Sequence, residues 1–128
     1  MNALFVESTE LTPKIVFDPI NLKFEISGES RPESGGKFYV PLEKWLNQYQ
    51  LHLIELKKAG KAPSFIFKMK FEYFNSSSSK YIYDLLTQIV EMFAAGIDVK
   101  IHWHYDSRDT DMEEAGEEFA KLNTFPVK

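Results

Sequence analysis

The chain has 128 residues, of which 44% are hydrophobic and 15% aromatic, enough apolar material for the core of one domain spanning residues 1–128. Its net charge of −4 argues against a main task of holding nucleic acid phosphates, and the absence of cysteine excludes disulfides, thiolate nucleophiles and Cys-based metal sites. The N-terminal segment lacks the pattern of a secretory signal, and no window approaches the ~20 apolar residues of a membrane span. We therefore expect a cytoplasmic protein without a membrane segment.

The first half of the chain predicts a strand hairpin, a loop and a helix. Residues 14–18 and 22–27 have strand patterns, and turn-forming residues lie between them. The run of turn formers over residues 28–36 predicts a surface loop. An apolar stripe with spacings of three and four follows, with Pro41 suited to the first turn of a helix and Gly60 suited to its end.

The second half predicts two strands that alternate with two helices. Residues 64–74 alternate between apolar and charged side chains, and this pattern assigns Tyr73 to the apolar face. Helical spacing follows over residues 77–95. A strand ending at Tyr105 then assigns that residue to the inward set, with His102 and His104 on the opposite face. The last helix is predicted over residues 111–122, and its buried side is expected to contain Met112, Ala115, Phe119 and Leu122.

The predicted order of elements is β-β-α-β-α-β-α, which indicates an α/β domain. The strands are apolar on one face and charged on the other, so helices are expected to cover a single face of the sheet. The strand–helix–strand steps are long enough for right-handed parallel crossovers, and the result is a mixed sheet. Its open face is expected to present eight polar side chains, namely Lys23, Glu25, Lys68, Lys70, Glu72, Lys100, His102 and His104.

The segment from Asn75 to Lys80 is the most informative for function. It contains four consecutive serines after an asparagine, at a predicted junction between a strand and a helix. Asn and Ser are preferred helix N-caps, so simple capping accounts for part of the pattern. A phosphate at this junction would also meet the positive end of the helix dipole, with Lys80 close by. Both interpretations stay open on the residues alone.

Other chemical groupings are incomplete. His102 and His104 share a strand face, but no third metal ligand is evident in the sequence. A serine triad has no supporting nucleophile elbow or oxyanion loop, and no Gly-rich phosphate-binding motif is present. The sequence therefore predicts neither an enzyme nor a protein with a required metal or cofactor.

Five spaced blocks, together with Glu117-Glu118-Phe119 and Phe125-Pro126, resemble the SiaC family of bacterial regulatory phosphoproteins. The five blocks are Thr12-Pro13-x-Ile15-x-Phe17-Asp18-Pro19, Gly28-Glu29-Ser30-x-Pro32-Glu33, Phe38-Tyr39-x-Pro41-Leu42-x-x-Trp45-Leu46, Tyr73-Phe74-Asn75-Ser76-Ser77-Ser78-x-Lys80 and Trp103-His104-Tyr105-Asp106. The family's fold is similar to the STAS domain of anti-sigma factor antagonists. The resemblance covers nearly the whole chain in the same order.

The resemblance implies a switch protein without catalysis. In the family, the hydroxyl residue after the Asn of this block is phosphorylated by a kinase of the anti-sigma-kinase type, and a PP2C-type phosphatase reverses the reaction. That position is Ser76 here, where the family commonly has Thr; Ser77 and Ser78 are the alternative acceptors. The unmodified form binds an effector, in the best-known system a diguanylate cyclase whose cyclic-di-GMP product promotes biofilm formation.

The expected partner-binding surface combines the loop, the serine junction and the end of the last strand. Its residues are Glu29, Ser30, Arg31, Pro32, Glu33, Asn75, Ser77, Lys80, His104, Tyr105 and Asp106. Carboxyl ends of strands form the usual functional edge of open α/β sheets. An anti-sigma factor antagonist that binds an anti-sigma kinase is the alternative within signalling. A small-ligand binding domain that uses a pocket on the open sheet face is the alternative of another class.

Overall fold

The structure is a computed structural model that describes residues 1–123, so the Phe125-Pro126 pair lies outside the described residues. The side chain of Leu122, expected on the buried side of the last helix, is likewise not described. Within the described range the chain forms five strands and three helices. They are β1 (Leu4–Val6), β2 (Lys14–Asp18), β3 (Lys23–Ser30), α1 (Gly35–Lys58), β4 (Phe65–Phe74), α2 (Ser76–Ala94), β5 (Val99–Trp103) and α3 (Thr110–Asn123).

The five strands form one mixed sheet in the order β1-β2-β3-β4-β5. The pairs β1-β2 and β2-β3 are antiparallel, whereas β3-β4 and β4-β5 are parallel and are joined through α1 and α2, respectively. The predicted α/β class and the mixed sheet are confirmed, and the architecture is consistent with a STAS-like fold. Strand β1 was not predicted, because three residues at a sheet edge carry too short a pattern.

The core lies between the sheet and the helices on one of its faces. The inward residues of the strands are buried, whereas the alternate positions, such as Lys68 and Lys100, are exposed. Aromatic rings fill much of this layer: Phe24 stacks on Tyr49 and Phe67, and Phe17 packs against Trp45. Burying each such side chain contributes about 1.5–3 kcal/mol. None of the helices described over residues 1–123 has the length and apolarity needed to cross a membrane.

Helix α1 begins earlier than its proline indicates, so the expected loop over residues 28–36 is wrong in extent. Strand β3 continues to Ser30, and α1 starts at Gly35 with Ser34 as its N-cap, accepting a hydrogen bond from the Lys37 amide at 3.4 Å. Pro41 therefore lies inside the helix, although it has no N–H to donate to the carbonyl four residues earlier. Only residues 31–34 connect the two elements.

The assignment of Tyr73 to the apolar face is also wrong. The register of β3 against β4 shifts between Gly28 and Glu29, so that Gly28 pairs with Phe71 but Glu29 pairs with Tyr73. This bulge breaks the alternation of β4, because an extra residue moves the following side chains to the other face. Tyr73 is 46% exposed as a result, whereas Phe74 packs against Trp103.

Candidate functional site at the carboxyl edge of the sheet

Three helices begin at one edge of the sheet. Each of the parallel strands β3, β4 and β5 is followed by a helix, so α1, α2 and α3 all start beyond the carboxyl ends of these strands. A helix N-terminus carries a partial positive charge and unpaired N–H groups. This edge therefore has the backbone chemistry to tolerate an anion, and it contains most of the residues that the sequence singled out.

Ser76 is the first residue of α2, and its side chain is exposed. Asn75 is the N-cap: its side-chain oxygen accepts from the Ser78 amide at 2.9 Å, while its own amide donates to the Ser30 carbonyl at 3.0 Å. Among residues 1–123, no hydrogen bond satisfies the amides of Ser76 and Ser77. The exposed hydroxyl of Ser76 thus lies next to unpaired backbone N–H groups that can donate hydrogen bonds to an anion.

The cap makes a testable contribution to stability. We expect Asn75→Ala to lower the free energy of unfolding by about 1 kcal/mol, because it leaves the Ser78 amide without its side-chain acceptor. Asn75→Ser keeps an acceptor oxygen and is expected to retain most of that stability. Urea denaturation of the two variants distinguishes them, and equal losses would contradict the assigned capping role.

Ser78 differs from Ser76 because it is buried. Its hydroxyl donates to the Ser30 carbonyl at 3.1 Å and accepts from the Ser30 hydroxyl at 2.9 Å, and the Ser30 hydroxyl also bonds to the Tyr39 hydroxyl. Ser30 and Tyr39 are fully buried and Ser78 is 1% exposed. Burial raises the pKa of Tyr39 to about 12, against the opposing effect of its hydroxyl partners. These three residues, which we call the hydroxyl cluster, fasten β3, α1 and α2 together.

The hydroxyl cluster changes two expectations from the sequence. Ser78 was an alternative phosphoacceptor, but a kinase cannot reach its hydroxyl without opening the α2 N-terminus. Ser30 was expected to touch a partner, but its side chain lies inside the protein. Tyr39 was not identified as part of the site from the sequence.

The segment after β3 presents a charged and aromatic surface. The Arg31 guanidinium bonds to the Glu29 carboxylate at 2.8 Å and lies over the ring of Tyr73, 5.0 Å from its centroid. Glu33 is exposed and Pro32 is partly buried. Since Ser30 pairs with Phe74 across the parallel strands, Arg31 follows Ser30 at the level where Asn75 follows Phe74. The structure therefore brings this segment together with the serine junction and adds Tyr73 to it.

Lys80 is exposed on α2, one turn after Ser76. The pKa of Glu43 on α1 is raised, first by burial and next by Asp84, and the charge of Lys80 acts in the opposite direction. The charge of Lys80 therefore acts on Glu43 of α1, and Lys80 forms no ion pair in the described chain.

The segment after β5 lies apart from the serine junction. Strand β5 ends at Trp103, opposite Met69, whereas β4 continues for five more residues to Phe74, a rise of roughly 16 Å. Tyr105 was expected on the inward face, but the strand has already ended, so its ring is 44% exposed. Its hydroxyl donates to Glu113, and the Asp106 carboxylate pairs with Arg108. In the described chain, no hydrogen bond or ion pair joins this segment to Ser76 or residues 29–33.

His104 lies at the base of that segment, and it belongs to the open face of the sheet. Its pKa is lowered, first by burial and then by the positive charges of Lys70, His102 and Lys68. The rings of His102 and His104 are 6.1 Å apart. Within residues 1–123, no three His, Asp or Glu side chains are grouped as ligands for a metal ion.

The site just described occurs in a chain that a known family model matches over nearly its full length. The model of the "SiaC family regulatory phosphoprotein" matches residues 6–128. The chain belongs to the SiaC family. An uncharacterized protein of Pseudomonas aeruginosa (strain UCBPP-PA14) is 28% identical over 126 residues, which cover 98% of this chain and 94% of that protein.

Solved structures of SiaC from Pseudomonas aeruginosa share the fold. The crystal structure of apo-SiaC is 27% identical with a TM-score of 0.83, covering 99% of this chain and 97% of that chain. A chain of the crystal structure of the diguanylate cyclase SiaD in complex with its activator SiaC is also 27% identical, with a TM-score of 0.82, covering 97% and 95%, respectively. These similarities confirm the family that the sequence blocks indicated. They also describe one SiaC protein as the activator of a cyclase.

Proposed function

We propose that this SiaC family member is a non-catalytic cytoplasmic switch protein, in which phosphorylation of Ser76 controls the binding of an effector, a diguanylate cyclase. The observation that carries the proposal is the contrast between two hydroxyls on one helix turn. Ser76 is exposed beside unpaired helix amides, whereas Ser78 is buried in the hydroxyl cluster. One serine is thus accessible to a kinase, and the other supports the position of the first.

The proposed acceptor lies in a setting that can hold a phosphate without loss of the fold. A phosphate on Ser76 carries a charge of about −1.5 to −2 and meets the N-terminal end of the α2 dipole. Helix α2 has no acidic side chain in its first turn that would repel it. Ser77 is also exposed and is the remaining alternative acceptor, whereas Ser78 requires local unfolding.

A phosphate on Ser76 would alter the neighbouring surface through Arg31. In the unmodified protein Arg31 pairs with Glu29 and lies over Tyr73. Arginine binds phosphate through several hydrogen bonds at once, so a phosphate nearby would compete with Glu29 for it. The added charge and the loss of the Arg31–Glu29 ion pair would then both change the surface that a partner contacts at this edge.

The partners we propose follow from the family and from the site. The complex of SiaD with its activator SiaC in Pseudomonas aeruginosa supports a cyclase as the effector. We propose that a Ser/Thr kinase of the anti-sigma-kinase type adds the phosphate and that a PP2C-type phosphatase removes it. The net charge of −4 gives no support for nucleic acid as a ligand. Residues 29–33 and the Asn75–Lys80 segment are the proposed contact surface, with residues 104–106 as a separate second area.

The acceptor assignment is tested by phosphorylation with the cognate kinase and mass-spectrometric mapping. We expect one phosphate, located on Ser76, and loss of at least nine-tenths of the incorporation in Ser76→Ala. Ser107→Ala is the matched control, because Ser107 is an exposed serine outside this site and should leave incorporation unchanged. Full incorporation at Ser77 in the Ser76→Ala variant would refute the assignment.

A further inference from the structure

The face of the sheet opposite the described helices contains a groove of about 890 Å³. It lies beside the first residues of β4 and β5 and is lined by side chains such as Phe5, Val16 and Ile66. Ser76 follows the last residue of β4, so roughly 25 Å of strand separates it from Ile66. The groove is therefore distinct from the site at the carboxyl edge. Its size is within the usual range of ligand pockets, ~300–1,000 Å³.

Three lysines surround one apolar side chain in this groove. Because Phe24 pairs with Phe67, Lys23 lies opposite Ile66 on the neighbouring strand, and Ile66 pairs in turn with Lys100. Lys68 follows two residues after Ile66 on the same face of β4. With strands ~4.8 Å apart and ~6.7 Å between alternate residues, the three lysine Cα atoms lie within about 10 Å of one another.

The acids that line the groove have other hydrogen-bond or ion-pair partners but keep their charge. The Asp18 carboxylate, opposite Lys23 on the neighbouring strand, accepts from the Asn21 side chain at 2.8 Å and from two backbone amides, and the charge of Lys23 is the smallest of the effects that lower its pKa. Glu25 pairs with Lys70 at 3.2 Å, and Asp98 accepts from Ser64 at 2.7 Å.

In the part of the chain that the structure describes, Lys23, Lys68 and Lys100 form no ion pair. Four lysines, Lys14, Lys23, Lys68 and Lys100, and three carboxylates, those of Asp18, Glu25 and Asp98, line the groove, and Glu25 is paired with Lys70. The groove therefore has a small excess of positive charge on a protein of net charge −4.

The same groove offers apolar surface to a ligand. Phe5 is 62% exposed, and Leu22 and Ile66 are each 37% exposed, which is unusual for three large apolar side chains in one recess. Lysine ammonium groups bind phosphate as point charges, and an exposed aromatic ring can pack against a planar apolar group. The concave shape fits a small molecule better than it fits a flat lipid surface.

We propose that this groove binds a small organic polyanion, a molecule with a planar ring and two or more phosphate groups, of the chemical class of a nucleoside diphosphate. Lys23, Lys68 and Lys100 would hold the phosphates, and Phe5, Leu22 and Ile66 would contact the ring. This proposal does not depend on the function proposed for Ser76, because the two sites share no residue.

The test is a titration of the full chain, followed by backbone amide NMR and calorimetry at low salt. The probes are adenosine diphosphate, inorganic pyrophosphate and adenosine. We expect the diphosphate to bind with a Kd of about 1 mM or tighter and to shift amides of β4 and β5. Pyrophosphate and adenosine are each expected to bind at least tenfold more weakly, because each supplies only half of the contacts.

Lysine variants test whether adenosine diphosphate binds in the groove. Lys68→Ala/Lys100→Ala is expected to weaken binding of adenosine diphosphate at least tenfold. Lys44→Ala/Lys58→Ala removes the same charge from exposed positions of α1 and is expected to change it less than twofold. No amide shift at 5 mM probe in the folded wild-type protein would overturn the proposal. Equal weakening by the two double variants would also overturn the proposal, because binding would then depend only on the net charge of the protein and not on the groove.

Discussion

Phosphorylated on Ser76, the protein is expected to bind the diguanylate cyclase proposed as its effector at least ~100-fold more weakly than the unmodified form does. Introducing about two negative charges into an interface from which water is excluded costs several kcal/mol unless the partner supplies cations for them. The exposed surface around Ser76 already contains the carboxylates of Glu29 and Glu33, so the added charge also meets like charge there. The modification is expected to change affinity while leaving the fold intact.

Calorimetric titration of the cyclase with the unmodified and the stoichiometrically phosphorylated protein measures this effect. Ser76→Asp adds only one charge and no phosphate geometry, so a smaller loss is expected, on the order of tenfold. Ser107→Asp adds the same charge at an exposed position outside the site and serves as its control. Unchanged affinity of the phosphorylated protein would contradict the switch mechanism.

Glu33→Ala tests the segment after β3 in the same experiment. Glu33 is exposed and forms no ion pair within the described residues, so its removal should not disturb the fold. A loss of affinity for the unmodified protein is expected if this segment contacts the partner. If Glu33→Ala binds with wild-type affinity, the segment after β3 is not part of the interface, and the serine junction is the remaining proposed contact surface.

The parts of the fold that sequence analysis predicts well are those with a long and regular pattern. The alternation in β4 and β5 indicates which face is buried, and the connections through α1 and α2 are long enough for the parallel pairs. Local patterns fail where a pairing partner decides the outcome. The bulge opposite Gly28 exposes Tyr73, and it cannot be inferred from one strand alone. The start of α1 before Pro41 is a different case, because the Ser34 cap is a local signal that the interpretation based on Pro41 did not use.

The site shows a similar division between local and non-local information. The position of Ser76 at a helix start follows from the capping preference of Asn75, which is a local signal. The burial of Ser78 also had a local signal that the sequence interpretation did not use. Ser78 precedes Ile82 by four residues and Leu85 by seven, so it lies on the buried stripe of α2. Its partners could not be predicted, because Ser30 and Tyr39 come from other elements.

A carboxylate at position 78 is expected to destabilise the protein far more than one at position 76. Ser78→Asp buries a charge among hydroxyls and a carbonyl, with no cation in the hydroxyl cluster, at a cost of about 3 kcal/mol or more. Ser76→Asp introduces the same carboxylate at an exposed position at the N-terminus of α2. Its effect on the free energy of unfolding is expected to lie between zero and a gain of about 1 kcal/mol.

Urea denaturation of both variants at several pH values separates burial from other causes of instability. Burial disfavours ionisation, so the introduced carboxyl at position 78 should have a raised pKa in the folded state. Its penalty is therefore complete above that raised pKa and declines as the pH falls toward the unfolded value of about 3.9. The Asn side chain in Ser78→Asn is similar in size to Asp but has no charge, so its effect on the free energy of unfolding should not change with pH. Equal destabilisation by Ser76→Asp and Ser78→Asp would show that both hydroxyls occupy the same environment, and the distinction between an accessible acceptor and a buried support would fail.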